Sequence, residues 1–348
     1  MSDPRPRIAA AVLPVVVLLA AAAALVLPEP AYDDDNPGDA GNAGRVMNGR
    51  RLRGDVVKRM EADLRIHQPQ VLVVGNSTAH TNIDTQQLAS TLGIPPSSIL
   101  VFSIPNSVTA HWYAVLKNRV FANGYRPRLV VVTAGLQAAL AVEPYSAAGR
   151  MNLAKQLEPE EPVLDAVIPR QHPSLARFEF NRGLARDGLL DGVRNLAVQW
   201  TVGGEAEAAM ERVFHHGRLQ SDMDGAFIGP DLSGGSALPA PSESLLPALA
   251  QLVAEHGSAM VFVRPPVPRR AAIDRQDRVP EGAVPGVRSL LEQHGHQLVD
   301  GAEHTLRGDR FANVRHLTDQ GARIFTTQIA PTLLHAWNRD APGSPPAP

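Results

Sequence analysis

Five short apolar runs, separated by helix-like segments, constrain the fold of this chain more than any other feature. The runs are residues 70–74, 99–103, 129–133, 260–264 and 297–300. They do not alternate apolar with polar residues, which is typical of strands covered on both faces. Strands connected through crossover helices lie parallel to one another. The sequence therefore predicts an α/β fold, a three-layer sandwich around a five-stranded, mostly parallel sheet.

Several of the intervening segments carry helix-ending signals. Residues 108–122, 242–255 and 287–293 each stop shortly before a glycine, the residue that most often follows a helix. Residues 142–241 are too many for one connection and contain helix-like pieces such as 189–200. We therefore expect an inserted helical region there, covering one side of the site.

A long uncharged run, residues 8–27, follows Arg5 and Arg7 near the N-terminus. A helix of about 20 residues spans the roughly 30 Å of a bilayer's hydrocarbon core. Basic residues before such a run favour a cytoplasmic N-terminus. We expect a single-pass anchor in the cell inner membrane within residues 1–28, with the main domain on the periplasmic or extracytoplasmic side. A cleaved signal peptide is the alternative, since residues 21–24 are alanines of the kind found near cleavage sites.

The remaining chain divides by composition. Residues 29–45 are rich in Pro, Asp, Asn and Gly and are expected to form a flexible tether. Residues 46–340 form the predicted α/β domain, and residues 341–348 a disordered, proline-rich tail. The formal net charge of −2 gives no electrostatic footprint for nucleic acid, so no such partner is expected.

Cysteine is absent from the sequence, which excludes disulfides, a thiol nucleophile and zinc sites built on thiolates. The pairs His215-His216 and His294-x-His296 have no nearby carboxylate pattern that would complete a metal site. We expect neither a metal nor another cofactor.

Two segments at predicted strand ends carry the residues of a serine nucleophile and its base. Gly75-Asn76-Ser77 follows the first run, and His316 stands between the fifth run and a final amphipathic helix. Ligands bind at the carboxyl ends of the strands in open α/β sheets. A serine hydroxyl needs a base for its proton and donors for the developing oxyanion. The pattern predicts Ser77 as nucleophile and His316 as base; a helix cap and a structural histidine are the alternatives.

These segments resemble the SGNH (GDSL-like) hydrolases, in particular the membrane-anchored branch that includes alginate-type polysaccharide O-acetylation proteins. Gly75-Asn76-Ser77 matches the family's Gly-Asp-Ser block with Asn for Asp, and Asn313-Val314-Arg315-His316-Leu317 with Gly321 matches its Asp-x-x-His-Leu block. Residues 102–107, 111–113 and 126–132 follow the ordering and spacing of the anchored branch. The match covers about residues 70–137 and 260–327 and implies the flavodoxin-like SGNH fold.

The resemblance also implies how the histidine is oriented. The family's acid position is Asn313, whose amide oxygen holds the imidazole tautomer but only weakly stabilises imidazolium. On the N-terminal side of the histidine, Asp309 is the nearest carboxylate that could take this role, and Asp300 is a more distant one.

Further residues are candidates for contacting the substrate. Asn106 and Gln137 align near family positions that bind the oxyanion, together with the backbone N–H of Ser77. Arg264, at the end of the fourth run, is a candidate ligand for an anionic or sugar group.

The resemblance implies a serine O-acyltransferase or esterase that acts on acyl (acetyl) groups of an exported or cell-surface polysaccharide through a Ser77 acyl-enzyme. Its expected partners are the polysaccharide or acyl-ester substrate, the membrane through residues 8–27, and a membrane-embedded acyl-transfer protein. The alternative is a non-catalytic SGNH-like binding or scaffold component of a polysaccharide export or acylation complex. Asn313 is the feature that separates the two.

Overall fold

The fold is described by a computed structural model for residues 56–104, 107–144, 147–168, 238–268, 282–312 and 316–339. Its strands are β1 (Val71–Gly75), β2 (Ile99–Ser103), β3 (Leu129–Thr133), β4 (Ala259–Arg264) and β5 (Gln297–Asp300). They form one sheet in the order β2-β1-β3-β4-β5, and every pairing is parallel. The predicted α/β fold with a five-stranded parallel sheet is confirmed, with each strand within one residue of its expected position.

Helices fill the connections between the strands. The described α-helices are α1 (Val56–His67), α2 (Ser77–Thr81), α3 (Thr85–Leu92), α4 (Thr109–Ala114), α5 (Leu136–Leu140), α6 (Ala147–Gln156), α7 (Pro162–Asp165), α8 (Leu246–Glu255), α9 (Ala283–Gln293) and α10 (Asp319–Asn338). The single helix predicted over residues 108–122 is α4 continued by a π-helix, Val115–Phe121. Local signals explain several ends. Asp84, for example, caps α3 by accepting the Gln87 N–H at 2.9 Å.

Both faces of the sheet are buried, because successive strand residues point to opposite sides. Leu72, Val74, Val130 and Val132 share one core with α1, α4, α8 and α9. The neighbouring residues of the same strands share a second core with α2, α3 and α10. A helix layer on each face is consistent with the predicted three-layer sandwich.

The strand order determines where a crevice opens. The chain leaves β1 for β2 on one side and returns to β3 on the other. In sheets of this order, ligands bind outside the carboxyl ends of β1 and β3, where the direction of winding reverses. Ser77 follows β1 directly, and Gln137 lies in the helix after β3, so both are at this crevice.

Several predicted features lie outside the described residues: the N-terminal anchor, the tether, the tail, most of the inserted region including residues 189–200, and the site candidates Asn106 and Asn313. The helices α6 and α7 belong to the described part of the insertion. None of the helices within the described ranges is long and apolar enough to cross a bilayer.

Candidate active site

Ser77 is the first residue of α2, immediately beyond the carboxyl end of β1. Asn76 caps this helix, because its side-chain oxygen accepts the Thr78 N–H at 3.0 Å. The cap requires an acceptor oxygen and no charge, so Asn serves here as Asp would. The Asn76 carbonyl also accepts the Ser103 hydroxyl at 2.8 Å, which ties this turn to the end of β2. Ser77 itself is half-buried at the crevice.

Gly75 brings α2 close to the sheet. A Cβ at this position would lie 2.1 Å from the Thr133 carbonyl oxygen and 3.1 Å from the Cβ of Ala79. A side chain therefore cannot fit between the ends of β1 and β3. The glycine of the Gly-Asn-Ser motif is therefore required by packing, and it allows α2, which begins with Ser77, to lie close to the end of β3.

His316 belongs to the histidine loop, of which the structure describes residues 311–312 and 316–317. Phe311 and Leu317 form an antiparallel bridge at its base, and the Ala312 N–H donates to the His316 carbonyl at 2.8 Å. Phe311 and Leu317 are both buried in the core shared with α2, α3 and α10. The backbone on either side of His316 is therefore anchored to that core.

The loop is also clamped to the start of α10. Thr318 caps this helix, with its hydroxyl oxygen accepting the Gly321 N–H at 3.1 Å. The Thr318 N–H donates to the Arg310 carbonyl at 2.9 Å. A Cβ on Gly321 would lie 2.1 Å from that same carbonyl oxygen. The glycine that follows the histidine in the motif is thus required for this close approach.

The structure brings together the two residues that the sequence singled out for catalysis. His316 Nε2 lies 2.8 Å from Ser77 Oγ, although the residues are 239 positions apart. When the ring proton is on Nδ1, Nε2 accepts a hydrogen bond from the serine hydroxyl. This is the geometry of a nucleophile and its general base. Both side chains are half-buried, so the pair is accessible from the crevice.

The other candidates at this edge differ in their surroundings. Gln137 is the second residue of α5 and half-buried. Asp309 is 53% exposed, with its carboxylate 3.6 Å from Arg307 and 3.7 Å from Arg310. The roles of Gln137 as an oxyanion donor and of Asp309 as the acid stay predictions.

Arg264 and Asp300 form a largely buried ion pair at the ends of β4 and β5. The guanidinium donates to both carboxylate oxygens at 3.1 and 3.2 Å. The Asp300 carboxylate also accepts the Ala302 N–H at 2.9 Å. Asp300 is thus engaged in structural contacts, and Arg264, with 15% of its side chain exposed, is held in place at the crevice edge.

Asn82 is a residue near the site that the sequence analysis missed. It is fully buried, and its side-chain oxygen accepts the Leu317 N–H at 3.0 Å. It follows α2 directly, so it links the serine helix to the histidine loop. Asn after a short helix looks like an ordinary turn residue. Its contact lies 235 residues away along the chain, and no local pattern indicates it.

Two other histidines have structural surroundings. His111 accepts the Val108 N–H at 3.2 Å and donates to the Gly149 carbonyl at 2.8 Å, and burial lowers its pKa to about 4. His296 accepts an N–H of β4 at 3.2 Å and donates to the Ala250 carbonyl at 2.9 Å, and burial lowers its pKa to about 4 as well. Within the described ranges, no group of three His, Asp or Glu side chains is placed to hold a metal ion.

The arrangement as a whole is a serine hydroxyl hydrogen-bonded to an imidazole, at the crevice where the winding of a parallel sheet reverses. No family model matches the sequence, and no curated protein matches it. The geometry of Ser77 and His316 therefore carries the functional argument.

Proposed function

We propose that the protein is a serine esterase or O-acyltransferase of the SGNH (GDSL-like) type, acting on acyl groups of an exported or cell-surface polysaccharide. The observation that carries this proposal is the 2.8 Å hydrogen bond between Ser77 Oγ and His316 Nε2. The strand order and the position of Ser77 directly after β1 agree with the flavodoxin-like fold that the resemblance implies.

In the first half-reaction, Ser77 Oγ attacks the carbonyl carbon of an acyl ester while His316 Nε2 takes the hydroxyl proton. The tetrahedral intermediate then collapses, and the bond from the carbonyl carbon to the departing alcohol oxygen breaks. His316 returns its proton to that oxygen. The acyl group remains on Ser77 as an ester, and the alcohol leaves.

In the second half-reaction, another hydroxyl attacks the acyl-enzyme. His316 removes its proton, the bond between the acyl carbon and Ser77 Oγ breaks, and the proton passes to the serine oxygen. Attack by a sugar hydroxyl transfers the acyl group, whereas attack by water removes it. Both outcomes use the same two residues.

Negative charge develops on the carbonyl oxygen in both steps and needs hydrogen-bond donors. The N–H of a residue that begins a helix has no acceptor within that helix, and Ser77 begins α2. We assign the Ser77 N–H to the oxyanion, with the Gln137 side chain and Asn106 as further donors. Gln137 reaches this edge from the helix that follows β3.

The imidazole must also carry its second proton on Nδ1, which requires an acceptor. The resemblance assigns this role to Asn313, with Asp309 as the alternative. An amide oxygen orients the ring without stabilising the imidazolium that forms during attack. We therefore expect slow turnover if Asn313 is the acceptor.

The identity of the substrate rests on the resemblance. It implies a polysaccharide acyl ester, attachment to the membrane through residues 8–27 and a membrane-embedded acyl-transfer partner. Arg264, held by Asp300 at the crevice edge, is the proposed contact for an anionic or sugar group.

The test compares wild-type protein, Ser77→Ala and Ser90→Ala in hydrolysis of acetyl esters and in transfer to sugar acceptors. Ser90 is an exposed serine on α3 and controls for the same chemical change away from the site. We expect Ser77→Ala to lower the rate by about 10³-fold or more and Ser90→Ala to leave it unchanged. If wild type matches the uncatalysed rate with several esters and acceptors, the non-catalytic scaffold is the correct function.

A further inference from the structure

We infer that Asn82 is a positioning residue, which holds His316 in line with Ser77. The inference rests on the proposed function. Asn82 follows the last residue of α2, the helix that begins with Ser77. Its side chain is fully buried between that helix and the loop that presents His316. Its side-chain oxygen accepts the backbone N–H of Leu317, the residue after His316, so we assign its effect to the backbone that carries the imidazole.

The orientation of the Asn82 amide is determined by its partner. The Leu317 N–H approaches at 3.0 Å, and a backbone N–H is only a donor, so the side-chain oxygen of Asn82 must face it. The Thr81 hydroxyl, 2.8 Å from the same oxygen, is a second donor. The Asn82 oxygen therefore receives hydrogen bonds from both the histidine loop and its own helix.

This bond fixes the peptide unit that joins His316 to Leu317. The carbonyl of that peptide accepts the Ala312 N–H at 2.8 Å, and its N–H donates to Asn82 at 3.0 Å. Rotating the peptide would break at least one of these bonds. The direction in which the His316 side chain leaves the backbone is thus held from both sides.

The other end of the connection is rigid with the nucleophile. The Asn82 N–H donates to the Thr78 carbonyl at 2.9 Å and closes α2. Asn82 is thereby part of the same short helical unit as Ser77. The bond from Leu317 to Asn82 is a second connection between the same two segments, besides the bond between Ser77 and His316. It therefore constrains the distance between these two residues.

Loss of the Asn82 oxygen would leave the Leu317 N–H buried without this acceptor and allow the histidine loop to shift. A displacement of about 1 Å between catalytic groups costs on the order of 10²-fold in rate. The bond joins two backbone segments below the crevice, and we expect substrate binding to be little affected by its loss. The defect is therefore expected in kcat rather than in KM.

Asn118 provides a matched control, since it is another buried asparagine, 6% exposed. Its amide donates to the Gln156 carbonyl and to the Glu161 carboxylate. It lies in the π-helix that packs in the opposite core from α2 and the histidine loop. Asn118→Ala removes a comparable buried amide without touching the serine or its base.

The experiment measures kcat, KM, thermal unfolding and the rate at which a fluorophosphonate labels Ser77 in the full chain. We expect Asn82→Ala to lower kcat and the labelling rate about 10- to 100-fold with KM nearly unchanged. Asn82→Asp, which keeps an acceptor oxygen, should recover most of that loss. Asn118→Ala should be destabilised yet stay within about twofold of wild type in both rates.

The outcomes separate the inference from the proposed function. Labelling of Asn82→Ala at the wild-type rate, or equal slowing in Asn118→Ala, would overturn the positioning role while leaving the enzyme intact. If wild type and its Ser77→Ala variant are equally unreactive, the proposed function fails and the inference fails with it. Should Asn82→Ala not fold, Asn82→Ser decides, because its hydroxyl is too short to reach Leu317 and the same slowing is expected.

Discussion

His111 and His296, on one face of the sheet, bond backbone groups through both ring nitrogens, whereas His316, at the crevice, directs one nitrogen at a serine hydroxyl. The first two are buried, with a pKa lowered to about 4. His316 is half-buried at the crevice. The side chain is the same in all three residues, but two have backbone partners and the third has a serine hydroxyl.

The comparison shows how the surroundings of two structural histidines differ from those of the proposed base. When both ring nitrogens bond backbone groups, one nitrogen accepts and the other donates, so the ring is neutral and its tautomer is fixed. Such a histidine satisfies buried backbone groups in the core. A ring nitrogen that accepts a hydrogen bond from a hydroxyl is placed to take the hydroxyl proton. The partners of the ring nitrogens therefore distinguish His316 from the two structural histidines.

The largest expected effect comes from His316→Gln. Removing the base should lower the esterase or transferase rate by about 10³-fold or more, because the Ser77 proton then has no acceptor of suitable basicity. The melting temperature should change little, since the loop is held by backbone bonds that the substitution leaves in place. Paired activity and thermal-unfolding measurements check both expectations. A large fall in melting temperature with unchanged activity would place His316 with the structural histidines.

The next effect is a loss of stability in acid. The pKa of His111 and of His296 falls from 6.5 to about 4 on folding. Between these values the unfolded chain binds protons that the folded chain does not, so stability is lost as the pH falls from 6.5 towards 4. Each histidine contributes up to about 3 kcal/mol to this loss. Urea unfolding at a series of pH values measures it.

A variant separates the histidines from the carboxylates, which also titrate in acid. In His111→Gln the pH dependence between 6.5 and 4 should lose the share that belongs to this residue. An unchanged slope would show that His111 is protonated equally in the folded and unfolded chains, which would remove it from the structural class.

The smallest expected effect is that of Asn76→Asp. Both side chains cap a helix with an acceptor oxygen, so the free energy of unfolding should change by less than about 0.5 kcal/mol. Asn76→Ala, by contrast, should cost about 1 kcal/mol because the Thr78 N–H loses its partner. Denaturant unfolding of the two variants makes the comparison. If Asn76→Asp raised the activity well above that of wild type, the negative charge at this position would have a catalytic effect that helix capping does not explain.

The strands could be predicted because their signal is local. Runs such as LVVVT at residues 129–133 are rich in β-branched residues and almost wholly apolar, as both-face burial requires. Ser77 and His316 could be predicted because each stands beside a strand end or helix start with a recognisable motif. The first strand extends one residue beyond the predicted run, to Gly75, because the glycine pairs with Ser103 and Thr133.

The remaining features depend on contacts between distant segments. Arg264 and Asp300 were each predicted to have a site role, and their ion pair follows only from the neighbouring register of β4 and β5. Asn82 has a partner 235 residues away. The π-helix over Val115–Phe121 has no distinct local signal. These features arise from sheet order and packing, which periodicity does not encode.

The separation of 239 residues between Ser77 and His316 has a consequence for the newly made chain. Contacts between distant segments form late in folding, since a long loop must close first. Before α10 docks against α3, where the Thr326 hydroxyl accepts the Asp84 N–H at 2.9 Å, Ser77 lacks its proposed base. If the proposed function holds, a nascent or partly folded chain is inert, and reactivity appears only once α10 has docked.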